Sequence, residues 1–239
     1  MSVFSKRSLE KEWLDRYDVP FEAIRRNMEE LDVINRRLGG HRVTLNALNF
    51  IRKKFQEKDS FTIAEIGSGG GDNLAAVQRW AQKKRLQVSL TGIDINPHCV
   101  AFSEGHHTGI KFINSDYRSV SFSEKPDIIF SSLFCHHFTD EELLHQLQWM
   151  YENSQLAFFI NDLHRHPFAY HSIKVLTSLF SKSTLVKNDA PLSVLRGFRK
   201  KEWLDLLKQA DLSSARLRWC WAFRWQIIVW KQDAESTKI

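Results

Sequence analysis

The stretch that decides the fold is IAEIGSGGGDN, residues 63–73. A short apolar run is interrupted by an acid near its end, four glycines and a serine follow, and an aspartate begins an amphipathic stretch. Glycine allows positive φ and lets a ligand approach the backbone closely. A strand, a glycine-rich turn and a helix form the first unit of a nucleotide-binding α/β fold, whose ligand lies outside the carboxyl ends of the strands. We therefore expect a ligand site at this turn.

The chain after about residue 60 alternates short apolar runs with amphipathic stretches, which predicts parallel strands covered by helices on both faces. The predicted strands are FTIAEI (61–66), VSLTGIDI (88–95), IKFINSD (110–116), PDIIFSSL (126–133) and LAFFIND (156–162). Near the end, RLRWCWAFRWQIIVW (216–230) predicts two further strands. The turn between them is too tight for a crossover, so they must be antiparallel. The sequence thus predicts a Rossmann-like, seven-stranded, mostly parallel sheet with an antiparallel last strand.

Two segments depart from this alternation and predict additions over the C-terminal edge of the sheet. Residues 1–58 contain only helical patterns, one of which stops at Gly39-Gly40, and we interpret them as an N-terminal helical cap. Residues 59–239 form the main domain. It carries a second cap insertion at about 163–195, predicted as an aromatic helix followed by a polar loop that ends in Pro191.

The composition favours a reduced, cytoplasmic protein. Of the 239 residues 43% are hydrophobic, and the net charge is +6. No window holds the roughly 18 uninterrupted apolar residues of a membrane span, and the N-terminus lacks the apolar core of a secretory signal. Three separated cysteines predict neither a disulfide framework nor a zinc site. The basic residues lie in short clusters beside helices, so solvated helix faces explain them better than nucleic-acid binding, which stays an alternative.

The residues around the glycines distinguish among three classes of ligand. The loop has no lysine, which argues against the triphosphate site of a P-loop. It has the first two glycines of the dinucleotide pattern GxGxxG, but Asp72 stands in the last place and would repel a pyrophosphate. Glu65 adds a second carboxylate, which favours a ligand that is neutral or positive near the loop. S-adenosylmethionine fits because it carries a sulfonium and an ammonium and no phosphate.

These motifs resemble those of the class I S-adenosylmethionine-dependent methyltransferases, whose first motif is an acid, one residue and then G-x-G-x-G. The resemblance implies that Asp94, in TGIDIN, accepts both ribose hydroxyls and that Ile95 covers the adenine. It also implies that Asp116, in INSDY, meets the adenine amino group. The cofactor-binding residues that it implies are Glu65, Gly67, Ser68, Gly69, Asp94, Ile95, Asp116, Tyr117, Ser131 and Phe134.

Four further stretches resemble a bacterial subgroup of small-molecule methyltransferases that is found with type III polyketide synthases and is related to ubiquinone-biosynthesis methyltransferases. They are INRRLGGHRVTLNAL, SSLFCHHFTDEEL, NDLHRHPFAY and PLSVLRGF. The resemblance implies an enzyme of secondary metabolism that O-methylates a phenolic, quinol or polyketide-derived hydroxyl. C-methylation of similar acceptors, nucleic-acid methylation and a non-catalytic cofactor-binding role are the alternatives. The loop departs from the subgroup, because GSGGGD places Gly70 where GCGDGD has an acid.

Catalytic candidates follow the fourth and fifth predicted strands. If the acceptor is a phenol or an enol, a general base assists the transfer, and histidine is the usual choice near neutral pH. His136 follows the fourth strand, and Asp162, His164 and His166 lie at the end of the fifth. His164 and His166 alternate, so in an extended segment they share a face. No metal site is predicted, because the fourth strand ends in serines and offers Asp162 no partner acid.

Two other features have two interpretations each. His41, which follows Gly39-Gly40, either points at the site or lies on the surface. The tryptophans of the last hairpin either cover the core and edge of the sheet or form the aromatic surface of a homodimer.

Overall fold

A computed structural model of the chain describes residues 3–16, 18–212 and 214–231. In these residues seven strands form one sheet in the order β3-β2-β1-β4-β5-β7-β6. The strands are β1 (Ser60–Ile66), β2 (Gln87–Asp94), β3 (Lys111–Asn114), β4 (Ile128–Ser132), β5 (Ala157–Leu163), β6 (Arg216–Cys220) and β7 (Arg224–Trp230).

Helices occupy most of the intervals between the strands. They are α1 (Phe21–Arg37), α2 (Gly40–Arg52), α3 (Asp72–Lys84), α4 (Pro97–His106), α5 (Asp140–Asn153), α6 (Pro167–Phe180), α7 (Thr184–Arg196) and α8 (Lys200–Gln209). Short 3-10 turns cover Trp13–Asp15, Tyr117–Ser119 and Cys135–His137.

The pairing of the strands confirms the predicted fold. The strands β1 to β5 are parallel, with β1 in the centre between β2 and β4. The strand β7 runs antiparallel to both β5 and β6. The carboxyl ends of the five parallel strands therefore meet at one edge of the sheet, and the glycine loop after β1 lies at that edge.

The core has two layers because successive strand residues point to opposite faces of the sheet. On β5, Phe158 and Ile160 face one layer and Phe159 faces the other, and all three are fully buried. The layer of Phe159 contains residues of α2 and α3, and the other layer contains residues of α5 and α8. Burying one such side chain contributes about 2–3 kcal/mol.

Local capping signals begin two helices where the sequence predicts them. The Asn96 side chain accepts a hydrogen bond from the backbone N–H of His98, and Pro97 occupies the first turn of α4. Thr139 and Glu142 form the reciprocal capping box of α5. These contacts are local in the chain, so the sequence alone predicts them.

The predicted polar loop before Pro191 is wrong, because residues 184–196 form the helix α7 with Pro191 inside it. A proline in a helix removes one backbone hydrogen bond and usually breaks the helix. Here Ser183 caps the N-terminus, and Leu185, Val186 and Leu192 are buried on the packed side. Tertiary burial therefore outweighs the local penalty of the proline.

The added segments lie over the carboxyl edge of the sheet. The helix α1 packs on α4 and α7, and α6 packs on α7. Residues 3–16 run beside them, where the Ser8 N–H donates to the Leu195 carbonyl at 3.0 Å. The helix α2 lies within the predicted cap segment but packs into the core of the sheet through Ala47, Leu48 and Ile51. None of the described helices is long and apolar enough to cross a membrane.

The tryptophans of the hairpin divide between core and surface. Trp225 is 6% exposed and belongs to one layer of the core. Trp219 and Trp221 are 43% and 58% exposed. The homodimer surface stays a prediction.

Candidate functional site

A cavity of about 1000 Å³ lies between the added segments and the carboxyl edge of the sheet. Its walls come from the glycine loop, the ends of β2 and β4, residues 8–16, Val19, and the helices α1, α6 and α7. The turn between β6 and β7 closes one side. The site therefore combines the motif end of the sheet with side chains from distant parts of the chain.

The glycine loop needs its glycines for conformation and for space. Gly67, Gly69 and Gly71 have φ values of 65°, 50° and 75°, which other residues rarely adopt. A Cβ on Gly67 would lie 2.2 Å from the Phe134 ring, which covers the loop. A Cβ on Gly70 would lie 3.0 Å from the Met28 Cβ of α1. The helix α1 thus packs directly on the glycine loop at Gly70.

Two of the three acids at the loop, Asp94 and Asp72, have hydrogen-bond partners. The Gly69 and Asn96 backbone N–H groups donate to the two carboxylate oxygens of Asp94 at 2.8 and 2.9 Å. Asp72 Oδ2 accepts from Asn35 Nδ2 at 2.9 Å and lies 2.7 Å from His41 Nε2. Burial would raise the pKa of Asp72, but His41 and Asn35 hold it below its ordinary value. His41 therefore points at the loop, as one of its two interpretations requires.

Glu65 is the acid that lacks a partner. It is 1% exposed, and its Oε2 has no hydrogen bond within the described part of the chain. Burial, and then the nearby carboxylates of Asp72 and Asp94, raise the pKa of Glu65 well above its ordinary value. The hydroxyl of Ser68, which also lines the cavity, has no partner either. Unpaired buried acceptors are costly, so this end of the cavity suits a ligand that brings N–H or O–H groups.

Of the remaining residues implied for the cofactor, Ile95, Asp116 and Tyr117 line the cavity and Ser131 does not. Ile95 is 68% exposed at the wall of the cavity, and Tyr117 also lines it. Asp116 lines it too, where Arg118 Nε donates to its carboxylate at 3.0 Å. Ser131 is fully buried, and its Oγ lies 3.4 Å from the Cys135 Sγ. Ser132 lines the cavity instead, because neighbouring strand residues point to opposite faces.

A buried histidine and carboxylate pair stands further along the cavity. His136 Nδ1 lies 2.8 Å from Asp162 Oδ1, and the His136 backbone N–H donates to Asp162 Oδ2 at 3.2 Å. His136 lines the cavity, whereas Asp162 is fully buried behind it. Burial would lower the pKa of His136, but Asp162 and Glu12 outweigh it and raise the pKa to about 9. The two candidates from different strand ends therefore form one unit.

The third member of this unit is Glu12, which no sequence motif predicts. Its Oε1 lies 3.4 Å from His136 Nε2 and accepts from Ser193 Oγ at 2.7 Å. Burial would raise the pKa of Glu12, but His137 and His136 lower it to about 2. Glu12 stands in a charged run, SLEKEW, without any local motif. Only the packing of residues 3–16 over the sheet brings it to the cavity.

His164 and His166 are not among the residues that line the cavity. The Trp219 Nε1–H donates to His164 Nδ1 at 3.2 Å. Burial, together with His166 and Arg165, lowers the pKa of His164 to about 4. His166 Nδ1 accepts from the Phe168 backbone N–H at 3.1 Å and caps α6. The structure therefore joins Asp162 to His136 and places the other two histidines against the hairpin and α6.

The rest of the cavity wall is largely apolar. Its side chains include Leu31 and Ile34 of α1 and Phe168, Ile173 and Leu176 of α6. This part of the cavity suits an apolar or aromatic ligand.

Comparison with known proteins agrees with the fold. Residues 63–153 match a family model described as a methyltransferase domain. No curated protein matches the chain in sequence.

Several solved structures have the same fold. Human N-acetylserotonin methyltransferase (ASMT), in complex with SAM, aligns with a TM-score of 0.60 and 18% identity, over 94% of this chain and 63% of that one. The plantazolicin methyltransferase BpumL, in complex with SAH, aligns with a TM-score of 0.59 and 19% identity, over 96% of both chains. Magnesium protoporphyrin IX methyltransferase (ChlM) from Synechocystis PCC 6803, with bound SAM, aligns with a TM-score of 0.53 and 9% identity, over 83% of this chain and 82% of that one. The chain therefore has the Rossmann-like methyltransferase fold.

Proposed function

We propose that this protein is an S-adenosylmethionine-dependent methyltransferase that methylates a hydroxyl oxygen of a small aromatic, quinol or polyketide-derived acceptor. Support for the cofactor comes from the match to the methyltransferase-domain family and from the related structures that hold SAM or SAH. The cavity also fits it. The unpaired Glu65 oxygen suits a ligand with cationic and N–H groups, and Asp94 stands at the end of β2, where a ribose diol would be accepted.

The observation that carries the proposal is the buried pair of His136 and Asp162 at the cavity wall. Bound S-adenosylmethionine supplies a methyl group on a sulfonium, which needs an electron-rich acceptor atom in line with it. His136 Nε2 takes the proton from the acceptor hydroxyl. Asp162 orients the ring through Nδ1 and stabilises the imidazolium that forms. Closure by the cap segments excludes water from the reacting atoms.

Glu12 controls access to the base. It lies against His136 Nε2, the nitrogen that must receive the proton. An acceptor hydroxyl that bonds to Nε2 would take the place of Glu12. Losing this carboxylate from the ring lowers the pKa of His136 and helps to free Nε2 to accept a proton. We therefore expect kcat/KM to rise with pH up to about 9, the pKa of His136 in the free protein.

The walls of the cavity support the class of acceptor. Ligand pockets span about 300–1,000 Å³, so a cavity of about 1000 Å³ has room for a cofactor and a second molecule. The apolar side chains of α1 and α6 suit an aromatic ring system. A site enclosed by cap segments also favours a small molecule over nucleic acid.

The test is turnover with a panel of phenols, hydroquinones and polyketide-type polyphenols, with S-adenosylhomocysteine as the measured product. We expect His136→Gln to lower kcat by about 10²- to 10⁴-fold while leaving S-adenosylmethionine binding in place. His145→Gln on the exposed side of α5 is the matched control and should leave kcat unchanged.

The same panel separates the alternatives. A new methyl resonance on oxygen in the NMR spectrum of the product supports the proposal, and one on carbon assigns C-methylation instead. Cofactor binding without turnover of any acceptor favours a non-catalytic role. Full activity of His136→Gln would refute the assignment of the base.

A further inference from the structure

Arg224 lies at the start of β7 and brings a buried cation to the cavity, where Asp162 and then Asp72 are the acids that act on its charge. It is 3% exposed and lines the cavity wall. Its Nη2 donates to Asn35 Oδ1 at 3.0 Å, but Nε and Nη1 have no hydrogen-bond partner in the described part of the chain. A buried guanidinium with two unpaired donors is costly unless a ligand accepts from them.

Contacts with Asn35 and Gly40 hold the Arg224 side chain in place. The same Asn35 side chain that accepts from Arg224 also donates to Asp72 at the glycine loop. A Cβ on Gly40 would lie 2.7 Å from Asn35 Oδ1 and 3.0 Å from Arg224 Nη2. Gly40, the first residue of α2, thus makes room for this contact. These contacts link the guanidinium through Asn35 to Asp72 at the glycine loop.

The cavity therefore offers both oxygen atoms and N–H donors that have no hydrogen-bond partner among the described residues. Beside the loop, Glu65 Oε2 and Ser68 Oγ have no hydrogen-bond partner within the described residues. Nor do Nε and Nη1 of Arg224, the side chain that is hydrogen-bonded to Asn35. Asp72, which Asn35 joins to Arg224, acts electrostatically on both Glu65 and Arg224. A ligand with an ammonium and a carboxylate on neighbouring atoms would satisfy both ends.

We propose that Arg224 binds a carboxylate through Nε and Nη1, and that this carboxylate belongs to the methionyl part of S-adenosylmethionine. The inference rests on the proposed function and names a residue that binds the cofactor from the last hairpin, far along the chain from the glycine motif. A carboxylate on the acceptor has the same chemistry and is the competing source. The link through Asn35 to Asp72 favours the cofactor.

The test is calorimetric titration of wild-type protein and Arg224→Met with two ligands that differ only in the carboxylate, S-adenosylmethionine and decarboxylated S-adenosylmethionine. A lost charge-assisted hydrogen-bond pair predicts a Kd for S-adenosylmethionine that is roughly 10- to 100-fold higher in the variant. The Kd for the decarboxylated ligand should change less than about threefold, because it never used those donors. Arg218→Met, the same change at an exposed position of β6, should leave both values unchanged.

A third titration, with 4-hydroxybenzoate in the presence of S-adenosylhomocysteine, distinguishes the source of the carboxylate. An unchanged Kd for S-adenosylmethionine in Arg224→Met overturns the cofactor assignment. If the affinity for 4-hydroxybenzoate alone falls, the carboxylate is that of the acceptor. If neither affinity falls, Arg224 binds no carboxylate. Wild-type protein that fails to bind S-adenosylmethionine refutes the proposed function instead, so the two failures are distinct.

The unfolding temperature separates ligand binding from a structural role. Replacing a guanidinium that is only partly hydrogen-bonded should leave the ligand-free protein close to wild-type stability. The rise in unfolding temperature on adding S-adenosylmethionine should shrink in Arg224→Met. A variant that is unstable without ligand and still gains the full wild-type rise has lost a structural contact and refutes the inference. Arg224→Lys, which keeps the charge, should recover part of the affinity.

Discussion

Replacing Asp162 by asparagine tests how the buried His136 holds its proton. Burial alone would lower the pKa of this ring, yet Asp162 and Glu12 raise it from 6.5 to about 9. The difference corresponds to about 3 kcal/mol of favourable interaction with the protonated ring. Asparagine keeps the shape of the side chain and removes its charge, so the pKa of His136 should fall towards or below its ordinary value.

The sign of the effect on stability follows from linkage. A group whose folded pKa is raised contributes stability that is complete below its unfolded pKa, here 6.5 for His136, and is lost as pH rises through the folded pKa. In the wild-type protein, His136 should therefore lower the free energy of unfolding by about 3 kcal/mol between pH 6 and pH 10. In Asp162→Asn most of this loss disappears. The difference between the two proteins should be largest near pH 6 and should narrow towards pH 10.

The assay is urea unfolding of both proteins at pH values from 6 to 10, with the His136 ring followed by NMR in the folded state. Subtracting one protein from the other cancels the titrations that they share. His145→Gln, which changes an exposed histidine, should run parallel to the wild type. The reasoning would be refuted if the difference in the free energy of unfolding between the two proteins did not change from pH 6 to pH 10. It would also be refuted if the His136 resonance of the wild-type protein titrated near 6.5, the ordinary pKa.

Three further substitutions test smaller parts of the structure. Gly105→Ala adds a Cβ that meets nothing within 4 Å on α4, so it should raise the free energy of unfolding by about 0.5–1 kcal/mol; a loss of stability in urea unfolding contradicts this. Thr139→Ala removes the capping box with Glu142 and should cost about 1 kcal/mol in the same assay; an unchanged unfolding midpoint contradicts it. Gly67→Ala places a methyl 2.2 Å from the Phe134 ring at positive φ and should abolish S-adenosylmethionine binding in calorimetry; wild-type affinity would mean that the loop adapts.

The two cap segments show where prediction from sequence stops. The continuous apolar run along β5 predicts a strand that is buried on both faces, and this prediction needs nothing beyond the residues themselves. The helix α7 could not be predicted in this way, since Pro191 opposes it locally and only the burial of its neighbours favours it. The two serines at the end of β4 show that a motif does not determine which neighbouring side chain faces the cavity. The motif points to Ser131, while the pleat of the strand turns Ser132 to the cavity.

The sequence by itself determined the parallel sheet, its antiparallel last strand, the glycine loop and the acids at the strand ends, because these depend on periodicity and on contacts between near neighbours. Only the tertiary structure decided which histidine meets a carboxylate, and it joined His136 to Asp162 and Glu12 while it placed His164 against the hairpin. It also brought Arg224 to the cavity. The physical reason is that such contacts join distant segments. Whether a buried charged group has a partner depends on which distant segments pack against it, and no local sequence pattern predicts that packing.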